Sequence, residues 1–182
     1  MITLVVQFML GMATNLFVQI PTNHPGANPP EYFSGVAQSV TWAILHGPSI
    51  WLVLHAVLGL SNGVQLVAMA AGGTAAAFFG LAGVATTTKR DFGVMGNFLT
   101  VGAIVIMLAV VANIFFQSPA VYLALLGAFI IFSSLMILWQ INAIVRGGET
   151  NYVSATLSLY VAVYNLFTSL LQLLGIFGGN RD

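Results

Sequence analysis

Apolar residues run along this chain in long blocks, and short polar clusters interrupt them. Crossing a hydrocarbon layer as a helix takes about 20 mostly apolar residues. Six blocks meet that length: roughly 1–20, 35–59, 63–87, 93–116, 119–145 and 152–177. The interruptions carry their own signals. "PTNHPGANPPEYFS" holds Pro21, Pro25, Pro29 and Pro30, a density that excludes a continuous helix and predicts an extended loop. "GLSNG" at 59–63 predicts a turn, "TTKRDFG" and "RGGETN" are polar connectors, and "QSPA" puts Pro119 where a helix can start. No block alternates polar and apolar residues as outer-membrane barrel strands do. The pattern predicts an all-α membrane protein, a polytopic bundle of about six transmembrane helices forming one domain over 1–182. Block 1–20 has neither a positive leading region nor an A-x-A-like cleavage site, so it reads as a retained helix.

Composition strengthens the membrane reading. Of 182 residues 59% are hydrophobic and only 4% charged, against roughly 25% charged in a soluble domain. So few charges cannot solvate a globule of this size, and membrane lipid is the solvent that fits. Net charge is zero, with no basic patch interleaved with aromatics, which argues against a nucleic-acid partner. The chain has no cysteine, so disulfides, thiolate catalysis and cysteine metal sites are excluded.

Three of the charged residues, Lys89, Arg90 and Asp91, stand side by side. Connectors after the first, third and fifth blocks share one side of the membrane and hold Lys89, Arg90 and Arg146; the other side holds only Arg181. Cytoplasmic loops carry the Lys/Arg excess, so the Lys89–Asp91 and Arg146–Thr150 loops are expected in the cytoplasm. A topological anchor is the plainest role for Lys89 and Arg90, and a partner contact is the sharper one.

Few side chains inside the blocks could carry chemistry. All four acids (Glu31, Asp91, Glu149 and Asp182) fall in connectors or the tail. Gln140 is an amide in hydrocarbon and must find partners; Asn142, Asn165 and Gln172 are candidates. Tyr160, Tyr164 and Asn165 share one helix face. His46 and His55 are nine residues apart, which at about 100° per residue places them on opposite faces, unable to chelate one metal. Gly47 and Pro48 between them predict a helix kink. Small residues recur at Ala68, Gly72, Ala76 and Gly80, which predicts a closely packed, central helix, or else a dimer face. The chain has no H-E-x-x-H, no G-x-S-x-G, no phosphate-cradling loop and no dinucleotide fingerprint. No catalytic residue, cofactor or metal is therefore expected.

At "TTTKRDF", "VANIFFQSPA" (111–120) and "RGGETNYVSATLSLYVAVYNLFTSLLQLLG" the sequence resembles the Bax inhibitor-1 family. The nearer likeness is to its bacterial YccA branch, whose members carry similar ANIFxQxPA and GGETNYxxATxSLYxxxYNxFxSLL patterns. The likeness is firm from about residue 63 to the end. Family members have seven membrane helices, a cytoplasmic N-terminal tail and a cytoplasmic loop at the Lys89–Asp91 position. The resemblance thus implies that 1–20 matches the second helix and that the tail and first helix are missing from this chain. It also implies an inner-membrane location and a partner, the membrane-anchored ATP-dependent protease FtsH, whose degradation of membrane proteins YccA-like proteins restrain. Candidate contacts are Lys89, Arg90, Asp91, Arg146 and Glu149. Channel-forming members imply an alternative, a cation or calcium leak gated by two carboxylates on the last two helices. Here the matching positions hold Gln140 and Ala162. Neither ionises, so a pH latch built on that pair is excluded, while an ungated leak and a purely structural subunit stay open.

Overall fold

The computed structural model describes residue 47 and residues 50–89, 92–148 and 152–179, with backbone alone for 152–154. The expected helix over 1–20, the loop after it, His46, Pro48, Arg90, Asp91 and Glu149 lie outside the described residues. Regular structure among the described residues is entirely helical: α1 (50–58), α2 (Gly63–Thr87), α3 (Met95–Phe116), α4 (Pro119–Val145) and α5 (Tyr152–Gly178). Four of these, α2 to α5, are long and apolar enough to cross a membrane. The expected count of six is not reached within the described residues, because the first block and most of the second lie outside them.

Local chemistry explains where the helices stop. Thr88 turns to extended backbone after α2, and its N–H caps the Val84 carbonyl. Gly93 and Val94 form a turn in which the Met95 N–H donates to the Phe92 carbonyl (2.8 Å), so α3 begins at 95 rather than 93. At the far end of α3, Gln117 adopts φ 47° and donates its N–H to the Asn113 carbonyl (2.8 Å). The Asn113 side chain accepts from the Ser118 N–H (3.1 Å), Ser118 caps α4, and Pro119 fills its first turn, where no N–H is needed. α4 ends in a Schellman motif. The Gly148 N–H reaches the Ala143 carbonyl (2.9 Å) and the Gly147 N–H the Ile144 carbonyl (3.2 Å), with Gly147 at φ 73°.

The centre of the bundle is α4, which packs against α2, α3 and α5; α2 also packs on α5, whereas α3 touches only α4 among these helices. Ala85, Leu99, Met136, Ile137, Ile141, Ala162 and Leu166 form the main core cluster, with contributions from all four helices. Val57 of α1 joins Leu66, Ala70 and Leu171 at the end away from Lys89. Large apolar side chains such as Phe79, Phe98, Leu108 and Phe115 face outward, as a hydrocarbon solvent permits.

One expectation is overturned. The stripe Ala68, Gly72, Ala76 and Gly80 is exposed, and a methyl group built on Gly72 or Gly80 would meet nothing within 4 Å. α2 buries Leu66, Ala70, Thr74 and Ala85 instead. A shift of two residues is about 200° around a helix, so the small stripe lies on the reverse side. Contacts made by Leu66, Phe78 and Leu81, which need volume rather than close backbone approach, select the packed face.

Candidate functional site

Successive membrane helices run in opposite directions, so the α2–α3 and α4–α5 connections emerge at one end of the bundle. Both carry charge there: Lys89 and Arg146 are exposed. Arg90, Asp91 and Glu149 lie outside the described residues. The two connections are joined through a buried amide, Asn142, near the end of α4. Asn142 is 2% exposed. Its Oδ1 accepts from the Phe92 N–H (3.2 Å), and its Nδ2 donates to the Ala85 carbonyl at a long 3.5 Å. The Asn142 carbonyl in turn accepts from the Arg146 N–H (3.0 Å).

Each partner of the side chain is a backbone group that helix geometry leaves without an intrahelical bond. Ala85 lies in the last turn of α2, where carbonyls have no partner of their own. It is 1% exposed, so solvent cannot serve it either. Phe92 precedes α3. An amide is suited to this place because it carries a donor and an acceptor on one short stem. Trp139, one turn before Asn142, lies against Gly96, where a methyl group would come within 3.2 Å of the indole ring. The start of α3 is thus seated flush on α4.

Inside the bundle, Gln140 and Ala162 are both buried, each 3% exposed. Ala162 packs in the core cluster with Ile137 and Ile141, the α4 residues flanking Gln140. The two positions that the resemblance implies as counterparts of a carboxylate pair thus hold a buried amide and a buried methyl group. Two of the partners considered for Gln140 are engaged elsewhere: Asn142 as described, and Gln172 through its Oε1, which accepts from the Tyr122 hydroxyl (2.7 Å) across α4 and α5. At the opposite end of the bundle, the Asn62 side chain donates to the Gly178 carbonyl (3.0 Å), joining the α1–α2 turn to the end of α5. Tyr164 is buried and Tyr160 half exposed, their rings 6.4 Å apart, with Asn165 half-buried beside them. Gly47 is helical and exposed. Sequence reasoning treated Asn142 as a mere partner for Gln140 and passed over Tyr122. The available signal was position: Asn142 stands one turn from a charged connection, where orphaned backbone groups gather.

Other features offer less chemistry. His55 is exposed and stacks on the exposed Trp51 (centroids 6.1 Å apart). Among the described residues, no three His, Asp or Glu side chains gather as a metal cage. An open groove of about 400 Å³ between α2 and α5 is lined by Ala71, Thr74, Phe78, Val163 and Phe167, among others. Its hydroxyl, on Thr74, is turned back to the Ala70 carbonyl (2.7 Å).

Comparison with known proteins agrees with this architecture. The family model described as Inhibitor of apoptosis-promoting Bax1 matches residues 1–179. Protein PA2604 of Pseudomonas aeruginosa is 46% identical over 134 residues, which is 74% of this chain and 60% of that protein. Protein NMA0420 of Neisseria meningitidis is 43% identical over 131 residues, covering 72% of this chain and 56% of the relative. The chain thus spans less than two thirds of the length of these relatives. Escherichia coli YccA, named a modulator of FtsH protease, is 39% identical over 174 residues, 96% of this chain and 75% of YccA. A family match over nearly the whole chain, carried by an all-helical bundle with four apolar spans among its described residues, establishes that this protein belongs to the Bax inhibitor-1 family.

Proposed function

We propose that this chain is a multi-pass inner-membrane protein that binds and restrains an FtsH-type membrane-anchored protease through its charged connections. The observation carrying this reading is the match to E. coli YccA, named a modulator of FtsH protease, over 96% of the chain. The fold supports a mechanism in which the bundle occupies the protease as a poor substrate. An ATP-driven protease extracts a membrane protein by pulling on a loosened segment. Here, side-chain bonds tie helix ends to neighbouring elements: Asn142 to Phe92 and Ala85, and Asn62 to Gly178. Tyr122 and Gln172 add a cross-link between α4 and α5. Such ties raise the cost of fraying, which begins at helix ends. The contact would use the connections bearing Lys89, Arg90, Asp91, Arg146 and Glu149, and their Lys/Arg excess supports a cytoplasmic side for them.

The test is degradation of a model membrane substrate by purified FtsH in proteoliposomes, with and without this chain. Slower degradation, abolished when Lys89, Arg90 and Arg146 are changed together to Ala, is the expected result. Slower degradation that survives those changes would move the contact into the membrane. Unchanged degradation in the presence of folded, inserted chain would refute the reading.

A further inference from the structure

We infer that Asn142 is the positioning residue of the protease contact: it locks the α2–α3 connection onto the end of α4, so that Lys89 and Arg146 form one cationic face. The inference deepens the protease reading and rests on it for the partner's identity, but the clamp itself stands on geometry. Three elements meet at this one side chain. Phe92, three residues beyond Lys89, is held by the Asn142 side chain, and Arg146 is held by the Asn142 main chain. Ala85, four residues before Lys89, is held on the other side of the same amide. The segment bearing Lys89 is therefore attached to α4 both before and after the charge, while Arg146 is attached one helical turn beyond the attachment point.

Rigidity of this kind decides how two charges act. Side chains on independently moving loops bind an opposing surface at the cost of ordering each loop, whereas a preformed pair avoids that cost. Two exposed cations held at one end select an acidic protein surface, and their attraction falls with salt. The choice of residue is also informative. Asn142 is buried next to apolar Ile141, and leucine, which branches at Cγ as asparagine does, would serve packing alone. Leucine would strand both the Phe92 N–H and the Ala85 carbonyl. Aspartate would keep an acceptor for Phe92, the shorter of the two bonds, and lose the donor to Ala85.

The chain has no cysteine, so label sites can be introduced without background. Nitroxides at Lys89→Cys and Arg146→Cys, in the full chain in lipid nanodiscs, report the separation of the two connections by pulsed electron–electron double resonance. A control pair at the lipid-facing positions Val64→Cys and Leu108→Cys reports the bundle itself. The parent is expected to give one narrow distribution for the first pair. Asn142→Leu should widen it at least twofold and leave the control pair unchanged, while Asn142→Asp should stay near the parent. An unchanged first pair in Asn142→Leu overturns the clamp. Widening of both pairs also overturns it, because Asn142 would then hold the fold and not the loops. In the FtsH assay with unlabelled chain, Asn142→Leu should lose at least threefold of the restraint, and Asn142→Asp should retain it. Restraint at parental strength in Asn142→Leu, despite a widened loop pair, overturns the functional half of the inference. A parent with no restraint at all, alongside a loop pair that widens as expected, rejects the protease reading and leaves the clamp standing.

Discussion

Gly63→Ala is the sharpest test of how α1 and α2 are joined. Gly63 is the buried first residue of α2. A methyl group there would land on the Val57 carbonyl oxygen, 2.7 Å from the Leu58 Cα and 3.0 Å from the Val57 carbonyl carbon. Every obstacle is backbone, so no rotamer change relieves it. The turn is also held by its own bonds, Leu60 N–H to Val57 carbonyl and Gly63 N–H to Leu60 carbonyl, both 3.0 Å. Restoring an ordinary contact with the Val57 oxygen needs about 1 Å of main-chain movement, and overpacking of this kind costs about 1–3 kcal/mol. A turn bond lost in the movement adds about 1 kcal/mol. The helix-propensity gain of alanine over glycine is at most about 1 kcal/mol and is smaller at a helix end. The net expectation is a loss of about 2 kcal/mol. Gly72→Ala is the matched control: nothing lies within 4 Å of its new methyl group, and it should gain up to about 1 kcal/mol. Both variants change the unfolded chain alike, so the gap of about 3 kcal/mol reports the folded state. SDS titration in detergent micelles, followed by helical circular dichroism, measures both. A gap under about 1 kcal/mol would refute the turn packing described here, and a destabilised Gly72→Ala would show that something covers the small-residue stripe.

Tyr122→Phe removes the hydroxyl bonded to Gln172 and should cost about 0.6 kcal/mol, and at most about 1.7, in the same titration. Gly147→Ala places a side chain at φ 73° in the Schellman motif and should cost about 1 kcal/mol; Gly148→Ala, which lacks a positive φ, should cost less. Calcium flux into dye-loaded proteoliposomes should be the same at pH 6 and pH 8, because Gln140 and Ala162 hold no proton to exchange. A flux that rises with acidification and exceeds empty liposomes would instead show a titrating gate elsewhere in the chain.

Helix ends were the most legible part of this fold. Pro119 after Ser118, the glycine pair after Arg146 and the Ser-Asn-Gly turn before α2 each act within a few residues, so their meaning survives without tertiary context. Which face of a helix is buried was not legible. A membrane helix is apolar all round, and the usual contrast between wet and dry sides disappears. Ala70 is fully buried while Ala68 and Ala76 are exposed, and the difference is that Ala70 lies in the cluster with Val57, Leu66 and Leu171. The pairing of amides was equally hidden. Asn142 reaches backbone groups 50 and 57 residues away, and Gln172 meets a tyrosine 50 residues away. Composition announces that such amides need partners but says nothing about which. The charged end was legible as a cluster of residues, and its organisation around one buried amide was not.

Two of the segments carrying the family likeness turn out to serve architecture. In "VANIFFQSPA", Asn113, Gln117, Ser118 and Pro119 together build the α3–α4 turn. Asn113 leaves its buried Nδ2 without a partner among the described residues, an arrangement that costs roughly 1–3 kcal/mol, so the turn must be held firmly enough to outweigh it. In the second segment, Gly147 supplies the positive φ that ends α4, and Ala162, Leu166 and Leu171 supply core contacts. Neither segment contributes a carboxylate or a basic side chain to a described membrane span. This protein builds turns and packing from these segments, and its four acids lie outside the four described spans. It can act by being hard to unfold and by presenting a fixed surface. Those two properties meet at Asn142, where one amide both ties a helix end and holds the segment after Lys89. If restraint of a protease is the function, loop order and restraint should fail together when that amide is lost, with the bundle intact. If the protein has another role, they should separate.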